Sequence, residues 1–80
     1  MDILISAEHM KADYMNSRAC PLALAASEVF GYPVKAVGGK IKTYDGKVLA
    51  IYNMTEWGYS TYLTHNQTRT PFTVPVILIP

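Results

Sequence analysis

The longest block of apolar positions at helical spacing predicts a helix that begins at Pro21 and ends before Gly31. Its apolar face consists of residues three and four positions apart: Leu22, Ala25, Ala26, Val29 and Phe30. Proline suits the first helical position, where its missing N–H has no partner, and glycine suits the left-handed residue that closes the last turn. Because few polar residues interrupt this segment, we expect the helix to be buried on more than one side.

Shorter apolar runs on either side of this helix predict five strands. They cover residues 3–5, 33–37, 40–44, 47–52 and 71–79. The first run is apolar throughout, which predicts burial of both its faces, and Ser6 is expected to cap a short helical turn after it. The last run contains Pro71 and Pro75, which cannot donate to a ladder and therefore place this strand at an edge of the sheet, at least over its first half. A second helix is predicted over Thr55–Thr64, with Thr55 as its N-cap.

The hairpin around Asp45-Gly46 has two possible registers. A two-residue loop would place Lys40 and Lys42 on its apolar face. A three-residue loop, closed by a pair between Thr43 and Lys47, places them on the opposite face, and we predict this loop. The apolar face then carries Ile41, Leu49 and Ile51. Together these elements predict an α+β fold, in which a small, mostly antiparallel sheet packs on a central helix and a second short helix follows.

Composition and charge narrow the classes of function. The chain has 80 residues, of which 50% are hydrophobic and 16% charged, so we expect one domain, residues 1–80, with a modest core. A net charge of +1 gives no strong attraction to nucleic acid or to a membrane surface. The single cysteine excludes an internal disulfide, which suits a reducing compartment. The apolar runs are too short to cross a bilayer, and the first residues do not resemble a signal peptide.

Three segments, in this order, resemble a family of small bacteriophage proteins. The chain opens with Ile3-Leu4-Ile5-Ser6-Ala7-Glu8-His9-Met10, continues with a Cys-Pro-Ile/Leu-Ala-Leu-Ala motif at Cys20 to Ala25, and ends with Pro71-Phe72-Thr73-Val74. It departs from many relatives in the spacer before Cys20, which is Gly-rich in them, and in its longer apolar tail. The resemblance implies a small α+β phage protein in the cytoplasm of a bacterial host. Proteins of that kind often bind and disable a bacterial protein, and no catalytic residues are carried over.

Among possible enzyme activities, one that uses a cysteine nucleophile has the most support in the sequence. Cys20 lies at a helix N-terminus, where a thiolate is favoured, and His9 and His65 are the candidates for its base. No local signature supports either pair, so the preferred interpretation is a buried residue that caps the helix. Metal-ligand spacing and a phosphate-binding loop are both missing, and we predict no catalytic residue, metal or cofactor.

Aromatic and basic residues supply the candidate binding surfaces. Trp57 and Tyr59 are expected to be exposed anchors for a protein partner, since aromatic residues are enriched in interfaces. Lys40 and Lys42, with Tyr52 close by, form a basic hairpin face on which an alternative function, nucleic-acid binding, would depend. A solvated sheet face is the simpler interpretation of these lysines, because the net charge is so small.

The apolar tail predicts a further surface. Val76, Ile77 and Leu78 follow a proline that removes a backbone donor, and an apolar strand with a free edge invites pairing with another chain. Pairing with Ile3-Leu4-Ile5 inside the monomer would occupy one side of this strand. For the side left over we expect a homodimer or a partner-binding surface. The leading hypothesis is a non-catalytic protein that binds and inhibits or redirects a bacterial host protein. A small nucleic-acid-binding module is the alternative, and a Cys20-dependent hydrolase ranks third.

Overall fold

A computed structural model describes residues 1–80 and shows an α+β fold, as predicted, with one five-stranded antiparallel sheet. The strands are β1 (Asp2–Ile5), β2 (Val34–Val37), β3 (Lys40–Thr43), β4 (Val48–Tyr52) and β5 (Phe72–Leu78). Their order across the sheet is β1-β5-β4-β3-β2, so that β1 and β2 form its two edges. The helices are α1 (Pro21–Phe30) and α2 (Tyr59–Thr68), and a 3-10 turn covers His9–Lys11. Neither helix has the length and hydrophobicity needed to span a membrane.

Helix α1 begins and ends where the sequence predicts. Cys20 is its N-cap, proline follows in the first turn, and Gly31 closes the helix with a φ of 80°. Its buried residues are Pro21, Leu22, Ala23, Ala25 and Ala26. Leu24 and Val29 are exposed, so the expectation that the helix is buried on more than one side, with Val29 on the buried face, is wrong.

Helix α1 contacts both edge strands, β1 and β2. The edges of a flat five-stranded sheet would lie about 19 Å apart, given the usual spacing between strands. The sheet is instead curled into a half-barrel, and the helix spans its opening. Ala23, Ala25 and Ala26 are part of the core, and their small side chains allow the helix to approach the strands closely.

Strand β1 is buried on one face only. Ile3 and Ile5 are fully buried, whereas Leu4 is 55% exposed, so the prediction that both faces are buried is wrong. The convex face of the curled sheet carries no covering layer, and alternate residues of β1 therefore point into solvent.

Strand β5 lies between β1 and β4 in the sheet order, and it pairs with β1 inside the monomer. Residues 72–75 have a partner strand on one side only, so the predicted edge position of the first half is confirmed. Its first half pairs with β1 and its second half with β4. The N–H of Val76 donates to the Met1 carbonyl on the β1 side, and the N–H of Ile79 donates to the Leu49 carbonyl on the β4 side. Successive residues of a strand direct their N–H groups to opposite sides, so position 75 faces the β4 side. Pro75 has no N–H to donate there, and β4 ends before it reaches this position. Proline is tolerated because the two neighbouring strands are staggered.

The loop between β3 and β4 has the predicted length. The N–H of Thr43 donates to the Lys47 carbonyl at 2.9 Å, which closes a three-residue loop. Gly46 occupies the last loop position with a φ of 100°, a conformation that favours glycine.

The register beyond this loop differs from the prediction. An extra residue on β4, Leu49, forms a β-bulge, so that Ile41 lies opposite Ala50 rather than opposite Leu49. Ile41 and Ala50 are fully buried. Ile51 lies opposite Lys40 and is exposed, so the predicted apolar face of Ile41, Leu49 and Ile51 is wrong.

Helix α2 begins at Tyr59 rather than at Thr55. The side-chain carbonyl of Asn53 accepts hydrogen bonds from the N–H and the hydroxyl of Thr55, both at 2.8 Å, which holds Thr55 in a turn. Gly58 is the N-cap. A β-carbon at Gly58 would lie 2.5 Å from the Met54 carbonyl oxygen, so only glycine allows the turn to close this tightly before the helix.

Candidate functional site

The two edges of the sheet differ in whether their outward backbone groups are hydrogen-bonded. At the β2 edge, the outward N–H groups have partners. The N–H of Val34 donates to the Ser27 hydroxyl at 3.0 Å, and the N–H of Ala36 donates to the Ser17 carbonyl at 2.9 Å. The Ser27 hydroxyl in turn donates to the Ala23 carbonyl of α1 at 2.7 Å. Both outward N–H groups of β2 are therefore occupied, which protects this edge from pairing with another chain.

The β1 edge is open. Met1 and Val76 exchange two hydrogen bonds, of 2.7 and 3.1 Å. Because only every second residue of an antiparallel strand bonds to a given neighbour, Ile3 and Ile5 are the next residues of β1 that bond to β5. The N–H and C=O of Leu4 consequently point away from the sheet. β1 pairs with no strand other than β5, and no turn, loop or side chain hydrogen-bonds to these two groups.

A groove with a volume of about 940 Å³ lies beside this open edge. Its walls are β1, the 3-10 turn, α1 and the segment that follows α1 as far as Pro33. The large apolar side chains that line it are all exposed: Leu4, Leu24, Val29 and Tyr32. Glu8 and Glu28 are the carboxylates of the groove, and neither a lysine nor an arginine lines it.

A chain of hydrogen bonds joins the end of β1 to α1 within this groove. The N–H of His9 donates to the Ser6 hydroxyl at 3.3 Å, so Ser6 caps the turn as predicted. The N–H of Ser6 also donates to His9 Nδ1 at 3.0 Å, which makes the cap reciprocal. His9 Nε2 lies 2.9 Å from Glu28 Oε1. Because Nδ1 accepts a backbone proton, Nε2 carries the ring proton of the neutral imidazole and donates it to Glu28.

Ser6, His9 and Glu28 follow the order of a nucleophile, a base and an orienting acid, with Ser6 Oγ 3.0 Å from Nδ1. Both of these atoms are already engaged in the reciprocal cap, however, and the Glu28 side chain is 70% exposed. The arrangement therefore supports a structural tie between the strand and the helix. Sequence reasoning identified Ser6 as a cap but missed the contact with Glu28, which is distant in sequence.

Cys20 is 2% exposed and its Sγ accepts the N–H of Ala23 at 3.4 Å. Burial raises the pKa of this thiol, although hydrogen bonds from nearby backbone N–H groups act in the opposite direction. The two histidines are engaged elsewhere, His9 with Ser6 and Glu28 and His65 with a backbone carbonyl. The interpretation of Cys20 as a buried capping residue is confirmed. No three His, Cys, Asp or Glu side chains are grouped as metal ligands would be.

The aromatic residues form a packed cluster rather than a set of exposed anchors. Trp57 is 2% exposed, so the expectation that it is an exposed anchor is wrong. The Tyr14 ring lies 5.4 Å from the rings of Trp57 and Tyr59 and 5.0 Å from that of Tyr62, and Trp57 stacks on Phe72 at 6.0 Å. This cluster attaches α2 to the rest of the fold. Tyr59 is exposed, as expected.

The predicted lysine pair lies on the convex face of the sheet, but without its tyrosine. Lys40 and Lys42 are both on this face, and Lys35 lies opposite Lys42 on the neighbouring strand. Tyr52 is on the other face, opposite the buried Val76, and burial raises the pKa of its phenol. The expectation that Tyr52 lies beside the lysines is therefore wrong.

A row of four residues crosses the convex face, and we call it the outer row. Its members, on β2, β3, β4 and β5 respectively, are Val37, Lys40, Ile51 and Ile77. Its three aliphatic side chains are exposed, Ile77 to 67%. Sequence reasoning missed Ile51 because the bulge in β4, which turns it outward, has no recognisable signal in the sequence.

The three tail residues have different environments. Val76 is buried, whereas Ile77 and Leu78 are exposed. On one side β4 pairs with all three residues, whereas on the other side β1 reaches only as far as Val76. Ile77 and Leu78 therefore have a strand on one side only, as expected. The exposed side chains of Ile77 and Leu78 are available to a second molecule.

Comparisons with known proteins add no relative. No protein-family model, curated protein or solved structure matches this chain.

Replacing Cys20 with serine is expected to leave partner binding intact and to lower the free energy of unfolding by at most about 2 kcal/mol, since serine also caps helices but buries a hydroxyl. The wild-type protein should lose stability as the pH rises above the ordinary thiol pKa, about 8.5. The reason is that the unfolded chain releases the thiol proton there while the buried thiol retains it. Urea unfolding of both proteins between pH 7 and 10 measures this difference. A folded Cys20→Ser protein without partner binding would contradict the structural role.

Proposed function

We propose that this chain is a non-catalytic protein of the bacteriophage type, which binds a bacterial host protein and inhibits or redirects it. The observation that carries the binding function is the amount of apolar surface left in solvent. Fifteen large hydrophobic side chains are exposed, and two of them, Ile51 and Ile77, are directly paired on the convex face of the sheet. Contiguous exposed apolar residues mark interaction sites, whereas singly scattered ones do not. The bacteriophage and bacterial-host parts of the proposal are supported by the motif at Cys20 to Ala25 and its neighbours.

The outer row is the surface best suited to this function. Ile51 and Ile77 are directly paired across β4 and β5, so they form one continuous apolar contact area. Lys40 lies next to Ile51 in the same row. A partner that fits this surface offers an apolar patch and a carboxylate that faces Lys40. Tyr59, on α2, is exposed as a separate candidate anchor.

Replacing Ile77 with lysine is expected to weaken host-protein binding by about 10- to 100-fold, because burying an isoleucine contributes roughly 1.5–3 kcal/mol. The fold should be unaffected, since the side chain is exposed. The immobilised protein is used to capture its partner from bacterial lysate, the partner is identified by mass spectrometry, and its dissociation constant is measured with purified proteins. Met15→Lys is the matched control, because Met15 is also an exposed hydrophobic residue but lies outside the outer row.

Equal affinity of the Ile77→Lys and Met15→Lys variants for the captured protein would contradict the assignment of the outer row. Light scattering of the wild-type protein serves as a second control. A dimer that becomes a monomer in the Ile77→Lys variant would assign this row to self-association instead.

Nucleic-acid binding is a second candidate function, favoured by the grouping of basic residues on the convex face. Lys35 and Lys42 are cross-strand neighbours, and Lys40 lies on the same face two positions away. The guanidinium of Arg18 lies 4.7 Å above the ring of Tyr44, which provides an aromatic and cationic contact of the kind found in such sites.

We expect no tight oligonucleotide binding at physiological salt, because the net charge of +1 provides little long-range attraction. Fluorescence anisotropy with single-stranded and double-stranded probes measures this over a range of salt concentrations. Binding that is tight, falls steeply with salt and falls again in the Lys40→Ala, Lys42→Ala double variant would reverse the ranking of the two functions.

A further inference from the structure

We propose that the open edge of β1 accepts an extended, basic segment of a partner protein as a sixth strand, with its apolar side chains in the groove beside α1. The proposal rests on the protein-binding function above and specifies a second contact surface and the chemistry of the bound segment.

The first argument is the unused hydrogen-bonding capacity of this edge. The N–H and C=O of Leu4 point outward with no partner in the protein, whereas both outward N–H groups of β2 are occupied by Ser27 and Ser17. A strand added to an exposed edge gains its affinity from such main-chain groups. The contrast between the two edges makes β1 the edge at which a strand can be added.

The second argument is the apolar lining of the groove at that edge. Leu4 is 55% exposed on the strand, and Leu24 and Val29 are exposed on the facing part of α1. These two are the exposed aliphatic residues of α1. Side chains of an added strand would remove all three from water, and alternate residues of such a strand provide this contact.

The third argument is charge. Glu8 and Glu28 line the groove, Asp2 lies at the same edge, and no lysine or arginine is among the lining residues. The one cation paired with these carboxylates is Lys11, which is 3.0 Å from Glu8. The lysines of β2 and β3 are on the convex face instead. A bound segment that carries lysine or arginine beside its apolar residues complements this acidic rim.

The same charges disfavour a second copy of this chain as the occupant. A symmetric pairing of two β1 edges would bring Asp2, Glu8 and Glu28 of one molecule close to those of the other. Like charges across a strand pair are destabilising. A different protein with a basic strand fits this edge better.

The test uses a short, terminally blocked peptide of alternating valine and lysine, added to the isotopically labelled full chain. NMR chemical shifts are expected to change at the Leu4 amide and along the groove, with a dissociation constant on the order of 1 mM or lower. A valine–glutamate peptide of the same length should bind at least tenfold more weakly. The valine–lysine peptide with N-methylated alternate residues should also lose binding, because it cannot donate to the β1 edge.

Two pairs of variants locate the site. Leu4→Lys should weaken peptide binding about tenfold, while Met15→Lys, which also replaces an exposed hydrophobic residue but lies outside the groove, should leave it unchanged. Glu28→Gln should weaken binding and reduce its dependence on salt, while Glu56→Gln, outside this groove, should do neither.

The proposal is overturned by the absence of shifts at Leu4 in several-millimolar peptide, by equal binding of the valine–glutamate peptide, or by unchanged binding of the N-methylated peptide. Light scattering that shows dimers dissociating in the Leu4→Lys variant would assign the edge to self-association and also overturn it. Host-protein capture that depends on Ile77 but not on Leu4 would reject the sixth strand and leave the proposed function standing. Failure of capture with a positive peptide result would reject the outer row alone.

Discussion

The hydroxyl of Ser27 joins helix α1 to the edge of the sheet, since it accepts the N–H of Val34 and donates to the Ala23 carbonyl. The rest of the fold depends on this junction between helix and strand edge. On its other side α1 contacts β1, so one short helix holds the two ends of a curled sheet together. Small residues make this possible, because bulkier side chains at Ala23, Ala25 or Ala26 would force the helix away from the strands and open the core.

Although α1 contacts both edges of the sheet, the two edges differ in their hydrogen bonding. At the β2 edge, the outward N–H groups hydrogen-bond to α1 and to the loop before α1. At the β1 edge, the N–H and C=O of Leu4 have no hydrogen-bond partner. The carboxylates lie beside the open edge and the lysines on the convex face. A molecule with one protected edge, one open edge and separated charges is well suited to binding a protein in one orientation, which agrees with the proposed function.

The predictable parts of the structure are those set by neighbouring residues. The bounds of α1 follow from Cys20, Pro21 and Gly31, and the β3–β4 loop follows from its Gly46. The errors come from contacts between residues distant in sequence. Whether Trp57 is exposed, for example, depends on its contact with Tyr14, which is far from it in the chain.

The residues of the candidate site also divide into those that could be predicted from the sequence and those that could not. Ile77 and Lys40 were identified from the sequence, because an apolar tail and a lysine-bearing hairpin are visible in it. Leu4 was missed because three successive aliphatic residues do not reveal which one points outward. Native-state hydrogen exchange tests the central claim most directly, by comparing the amides of Val34 and Leu4 in the isolated protein. The account predicts that Val34 exchanges at least about a hundredfold more slowly than Leu4, and that Ser27→Ala removes this difference. Equal protection of the two amides in the wild-type protein would contradict it.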